Sequence, residues 1–177
     1  MSFLLILPSS VYGLPLHPLV VHVAVVLVPL SALALIAVGW NKAWRHAYYP
    51  PIMLLALGGA AGTFLAKQTG GTLRQALRRA GKQLGDHPGE GDRAFILAGL
   101  FAAVCIALYV YEAYGDRLRE RFGISNRYRL PFDENMTLYV MAVPIALLAT
   151  LMMVLAGHSG AALVWKTAGS VTPTAGR

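Results

Sequence analysis

Residues 17–40 read HPLVVHVAVVLVPLSALALIAVGW, and between Pro18 and Trp40 the only titratable side chain is His22. A helix needs roughly 20 mostly apolar residues to cross the hydrocarbon core of a bilayer. This stretch therefore reads as a transmembrane helix over about 18–40. Pro18 suits the first helical turn, where its missing N–H would be unpaired anyway. Pro29 lies inside the run and is expected to kink it, so neighbouring helices must cover the freed backbone.

The same pattern returns three times outward from there. Spans are expected at about 51–67, 93–114 and 136–157. The second contains Gly58 and Gly62 in G-x-x-x-G register, which lets another helix approach closely, and ends near Lys67, whose amine can snorkel to the interface. Between the first two lies a short basic loop, NKAWRHAYYPP (41–51), with Trp40, Trp44, Tyr48 and Tyr49 as an interface belt. Residues 68–92 are the longest polar connection. Leu73, Leu77 and Leu84 recur there at helical spacing against Arg74, Arg78, Arg79 and Lys82, which predicts a short amphipathic helix on the membrane surface over about 72–84. Gly115 is expected to stop the third span, and Gly157-His158-Ser159-Gly160 the fourth. The fold class is all-α, a transmembrane four-helix bundle with one short interfacial amphipathic helix, and 1–177 form a single integral membrane domain.

Composition agrees. Of 177 residues 56% are hydrophobic and 13% charged, against about 25% charged in soluble domains, and the mean hydropathy is +0.57. The net charge of +7 sits at the ends of apolar runs, where it anchors to headgroups. The partner it implies is the lipid bilayer; nucleic acid is not expected. Cys105 is the single cysteine, so neither an intrachain disulfide nor an iron–sulfur cluster is available to it, and it reads as packing. The N-terminus lacks a basic n-region and does not resemble a cleavable signal peptide, so the first span would itself be the targeting signal.

Four crossings bring both termini to one rim, and with them His17, His22, His87 and His158; His46 falls on the other. Seven lysines and arginines lie on the His46 side and eight on the histidine side, so the total does not orient the chain. Lys42 and Arg45 directly follow the first span, which usually weighs most. The expected placement is a bacterial cytoplasmic (inner) membrane, with both termini and the histidine rim extracytoplasmic.

Neutral imidazole is a common ligand for haem iron, zinc and copper. His17 and His22 are five apart, about 140 degrees of rotation and 7.5 Å of rise on a helix, so they do not face one ligand together. With Pro18 starting the helix, His17 reads as a cap and His22 as the buried ligand. Asp86 could hold one ring nitrogen of His87, and the glycines around His158 would admit a flat macrocycle. The expected cofactor is haem b, with His22 and His158 as preferred axial ligands and His87 and His17 as substitutes or support. Zinc or copper on the same four histidines is the alternative, and no cofactor at all is the bland one, since helix-end histidines are common interfacial residues. The function expected is a membrane-embedded electron-transfer module, linked to quinol at the rim. The alternative is a non-catalytic accessory subunit of a larger respiratory-type membrane complex. No P-loop, dinucleotide fingerprint or His-Glu-x-x-His motif occurs. GHSGA (157–161) lacks the strand and final glycine of a nucleophile elbow. No enzyme is specified; a redox-active chain would be an electron carrier.

Two stretches resemble a known family. GLPLHPLVVHVAVVLVPL (13–30) is similar to the His-Pro-x-x-x-His opening of a group of small bacterial membrane proteins, the domain of unknown function 2231, and GHSGAALVW (157–165) to its Gly-x-x-Gly-x-x-Leu-Val-aromatic ending. His87 stands where many members carry a histidine before the third span. The resemblance covers residues 13–167 and implies a four-helix membrane domain. Some members of that group are fused to, or stand beside, Rieske-type iron–sulfur proteins, which implies electron transfer and a Rieske-type redox partner. It carries over no catalytic residue.

Overall fold

The computed structural model describes residues 10–12, 14–79, 81, 85–123 and 134–168. The segments 1–9 and 169–177, together with Lys82, Leu84, Arg127 and Arg129 of the polar connections, lie outside the described residues. Ser10–Val11 (β1) and Leu14–Pro15 (β2) make a two-residue antiparallel pair, turned at Tyr12 with φ +49°. Four helices follow: α1 (Leu16–Gly39), α2 (Lys42–Arg79), α3 (His87–Phe122) and α4 (Glu134–Ala168). All four are long and apolar enough to cross a membrane. They form an up-down-up-down bundle in which each helix packs against the two beside it in the ring, so α1 and α3 stand on one diagonal and α2 and α4 on the other.

The packing is inverted relative to a soluble protein. Alanines fill the interior, including Ala24, Ala32, Ala56, Ala98, Ala102 and Ala146, while Leu33, Leu54, Ile96, Leu147 and Val154 are exposed. Apolar surface of this extent on a lone helical bundle is what lipid contact requires. Between helices in lipid, close van der Waals approach replaces the hydrophobic drive, and small side chains permit it. The glycines of α2 show how close the approach is. A Cβ on Gly59 would lie 2.7 Å from Val28 Cγ2, and one on Gly62 would lie 3.1 Å from the backbone nitrogen of Ala24. Gly59→Leu is therefore expected to cost about 1–3 kcal/mol by overpacking. Gly99→Ala, with nothing within 4 Å of the added carbon, should gain about 0.5–1 kcal/mol from lost unfolded-state freedom. Thermal midpoints in detergent separate the two.

Several boundaries differ from the sequence reading. The amphipathic stretch is not a separate surface helix: α2 continues through it to Arg79, with Leu73 and Leu77 half-buried and Arg78 and Arg79 exposed. The basic loop is helical from Lys42 onward. Gly115 does not end α3; that helix runs on to Gly123, whose φ of +60° and N–H bonds to Arg119 and Glu120 carbonyls close it. An isolated helical glycine costs only about 1 kcal/mol, which packing overrides. Gly157 and Gly160 likewise sit inside α4, where they admit neighbours: an added Cβ would meet Val25 Cγ2 at 3.4 Å and His87 Cε1 at 2.9 Å respectively. Helix α1 passes Pro29 unbroken, and Ser31 donates its hydroxyl to the Leu27 carbonyl at 2.7 Å.

The far end of α1 accounts for all of its terminal carbonyls. The last four C=O groups of a helix have no partner within it, and at a membrane interface they must find one. Tyr139 donates to Ile36 O at 2.9 Å, the Trp40 indole to Ala37 O at 2.9 Å, the Asn41 N–H to Val38 O at 3.1 Å, and the Arg45 guanidinium Nε–H to Gly39 O at 2.5 Å. This is why Arg45, read from sequence as a headgroup anchor, is instead only 2% exposed.

Candidate ligand site at one rim

The structure brings His17 and His87 to the same end of the bundle, each half-buried, on diagonally opposed helices. His17 is not a loop residue ahead of the helix. It lies in the first turn of α1 and faces α2, because the helix begins at Leu16. Its Nδ1 is 3.0 Å from the Ala66 carbonyl and 3.2 Å from Thr69 Oγ1. His87 opens α3 and reaches across to α4, where its Nδ1 is 2.9 Å from Ser159 Oγ. Asp86 caps α3 without a side-chain hydrogen bond, so the partner of His87 is a hydroxyl on another helix and not the adjacent carboxylate.

The carbonyl contact defines the proton on the His17 ring. A carbonyl only accepts, so His17 Nδ1 carries the hydrogen. Thr69 Oγ1 gives its own proton to the Leu65 carbonyl at 2.9 Å and accepts from the imidazole. At His87 the tautomer follows the Ser159 proton: when that hydroxyl donates to Ala156 O, 3.2 Å away, its oxygen accepts from His87 Nδ1–H. In a neutral imidazole with Nδ1 protonated, Nε2 holds a bare lone pair. Neither Nε2 has a hydrogen-bond partner among the described residues. Each ring also rests on a glycine of the even-numbered helix. A Cβ on Gly70 would lie 3.0 Å from His17 Cε1, and one on Gly160 would lie 2.9 Å from His87 Cε1. The next layer inward is closed by Ala24 and Ala94, both buried, so the pair sits at the end of the bundle.

His22 and His158 do not join them. Both are exposed, and the His22 ring bonds back to the Pro18 carbonyl of its own helix at 2.6 Å. The preference for His22 over His17 is thereby reversed: α1 includes His17, and its packing turns that ring onto α2 and leaves His22 exposed. His46 is exposed at the other end. Among the described residues no three His, Cys, Asp or Glu side chains converge as a metal site. Cys105 is buried at 2% exposure, deep in the core.

A second feature of this rim is the α2–α3 seam. Lys67 pairs with Asp92 at 3.0 Å and lies 5.0 Å from the centre of the Phe95 ring, itself 6.2 Å from Phe64. Both charged groups are about half exposed, and exposed pairs contribute about 0–1 kcal/mol. Asp92→Asn is accordingly expected to leave the unfolding midpoint within that range, less still at high salt.

Sequence reasoning missed the two hydroxyl residues, Thr69 and Ser159. The available signal was that each precedes a glycine, Thr69-Gly70 and Ser159-Gly160, and that each histidine precedes a proline, His17-Pro18 and His87-Pro88.

Residues 13–173 match the family described as predicted membrane protein (DUF2231). No curated protein and no solved structure matches the chain. With four candidate spans and the match running over most of its length, the chain belongs to the DUF2231 family of membrane proteins.

Proposed function

We propose that this chain is a membrane-embedded electron-transfer module that holds haem b at one face of the bilayer, with His17 and His87 as the axial ligands. The observation that carries the reading is the pair of half-buried imidazoles on one diagonal of the bundle, each held at Nδ1 by a group on the neighbouring helix and with no hydrogen-bond partner at Nε2 among the described residues. A metal-ligating histidine commonly donates its other nitrogen in this way, which orients the ring and raises its basicity. The donor set fits haem iron, which brings four ligands of its own and asks the protein for one or two axial side chains. Zinc on a structural site wants about four protein ligands, and only two imidazoles are half-buried at this rim among the described residues, so zinc or copper is the less well-served alternative. Haem held at this rim would supply a one-electron couple; the Ala66 carbonyl and Thr69 on α2, and Ser159 on α4, orient the two imidazoles.

The membrane is a bacterial inner membrane in this reading, with the histidine rim and both termini outside. A membrane quinol or a Rieske-type protein would exchange electrons at that rim. The absorption spectrum of the detergent-solubilised protein tests it, together with iron analysis. A Soret band and stoichiometric iron are expected. A colourless protein without iron after expression with ample haem supply would overturn the assignment, and stoichiometric zinc or copper would replace it with the metal-handling reading.

A further inference from the structure

The two hairpins of the bundle are the same hairpin twice. Shifted by 70 residues (His17 to His87), α1 falls on α3: His17-Pro18 becomes His87-Pro88, and the buried Ala24, Val28 and Ala32 fall on the buried Ala94, Ala98 and Ala102. Shifted by 90 residues (Thr69 to Ser159), α2 falls on α4: Thr69-Gly70 becomes Ser159-Gly160, and Tyr49, Ala56 and Gly59 fall on Tyr139, Ala146 and Ala149, all six buried. The second hairpin is longer by the difference, 20 residues, in the stretch joining α3 to α4. Apolar positions coincide easily between any two helices of the same period. The informative matches are polar: a histidine before a proline, a buried tyrosine, and a hydroxyl before a glycine. The contacts repeat as well. In each copy the imidazole Nδ1 meets the hydroxyl, at 3.2 and 2.9 Å, and the ring lies on the following glycine, at 3.0 and 2.9 Å from a built Cβ. Parallel repeats of this kind are related by a pseudo-twofold axis along the membrane normal.

The repeat also sorts the histidines. His22 falls on Asp92 and His158 on Gln68, so only His17 and His87 are kept in both copies.

We propose that the chain is a fused duplicate of one helical hairpin and that His17 and His87 are two half-sites of a single centre on the axis between the copies. One ligand is bound by both Nε2 atoms together: a planar metal macrocycle with two open axial positions. Thr69 and Ser159 are positioning residues that hold the two rings in the same tautomer. This rests on the haem reading above and adds the stoichiometry, the equivalence of the halves and the roles of the hydroxyls. The copies are not identical in support. His17 keeps the Ala66 carbonyl if Thr69 loses its hydroxyl, whereas Ser159 Oγ is the one acceptor the structure gives His87 Nδ1 among the described residues.

The test is titration of the apoprotein in detergent with haem, alongside nitrogen NMR of its histidine side chains. The apoprotein should show both rings protonated at Nδ1. Haem should saturate at one per chain with a bis-imidazole low-spin spectrum, and both Nε2 signals should move together. Ser159→Ala should weaken binding by about 10- to 100-fold, the usual effect of removing a partner that orients a ligand, with Thr69→Val milder and the exchange Thr69→Ser with Ser159→Thr close to wild type. Two haems per chain lost independently, or one ring shifting alone, would overturn the shared site and the joint ligand assignment and leave haem binding alone standing. Apoprotein rings protonated at Nε2 would overturn the role of the hydroxyls directly, without haem. No haem uptake by apoprotein with the expected tautomers would remove the haem reading and the shared site with it.

Discussion

Alanine at His17 or at His87 is expected to abolish the low-spin bis-imidazole haem spectrum of the purified protein, and alanine at His22 or His158 to leave it in place. The first pair loses an axial nitrogen that has no replacement, since no third ligating side chain converges there among the described residues. Bound iron should fall to background in either single variant, or the spectrum should turn to the high-spin form of a five-coordinate haem. His22 and His158 are exposed, so their removal takes away surface imidazoles and no packing. The outcome that sinks the assignment is the inverse: iron lost from His22→Ala or His158→Ala and kept in His17→Ala. Thermal midpoints of the four variants would be measured beside the spectra, so that loss of fold is not read as loss of a ligand.

The largest effect on stability is expected at Gly39. It is the last residue of α1, and a Cβ built there would lie 2.2 Å from Tyr139 Cδ2 and 2.3 Å from Cε2. No side chain fits without moving the Tyr139 ring. Moving the ring breaks its part-buried hydrogen bond to Ile36 O. Overpacking of this kind costs about 1–3 kcal/mol, and the lost hydrogen bond adds about 0.5–1.5 kcal/mol. Gly39→Val should therefore lower the midpoint in detergent by far more than Tyr139→Phe, which removes the hydroxyl alone. The cause is checked in a Tyr139→Ala background, where the same valine should cost little because the ring it strikes is gone. An equal cost in both backgrounds would show that the strain lies elsewhere.

The tyrosine contact is also where the two hairpins part. Gly39 of α1 corresponds to Tyr109 of α3. A ring cannot lie on α3 at that position as Tyr139 lies on α1, so Tyr49 cannot copy its counterpart. The Tyr49 hydroxyl is left without a hydrogen-bond partner among the described residues, although Tyr49 is only 2% exposed.

Much of the architecture was legible from the chain alone. Four apolar runs, their rough limits and the common rim for His17, His22, His87 and His158 follow from hydropathy and from an even number of crossings. The ends of the helices were not legible. Gly115, Gly157 and Gly160 carry the same local signal as a terminating glycine, yet the backbone passes through all three because a neighbouring ring, side chain or imidazole uses the space. Arg45 read as an interface anchor because its neighbours are basic and aromatic; its burial depends on a carbonyl six residues away that only a folded turn brings into reach.

The amino-acid sequence by itself determined that this is a four-span membrane protein with imidazoles gathered at one rim, because hydropathy is summed along the chain and needs no knowledge of neighbours. Which imidazoles turn inward was decided by tertiary structure. His17 and His22 are about 140 degrees apart on a helix, so once α1 extends back to Leu16 one of the two faces in and the other out. Only packing against Thr69 and Gly70 on α2, and against Ser159 and Gly160 on α4, selects that phase.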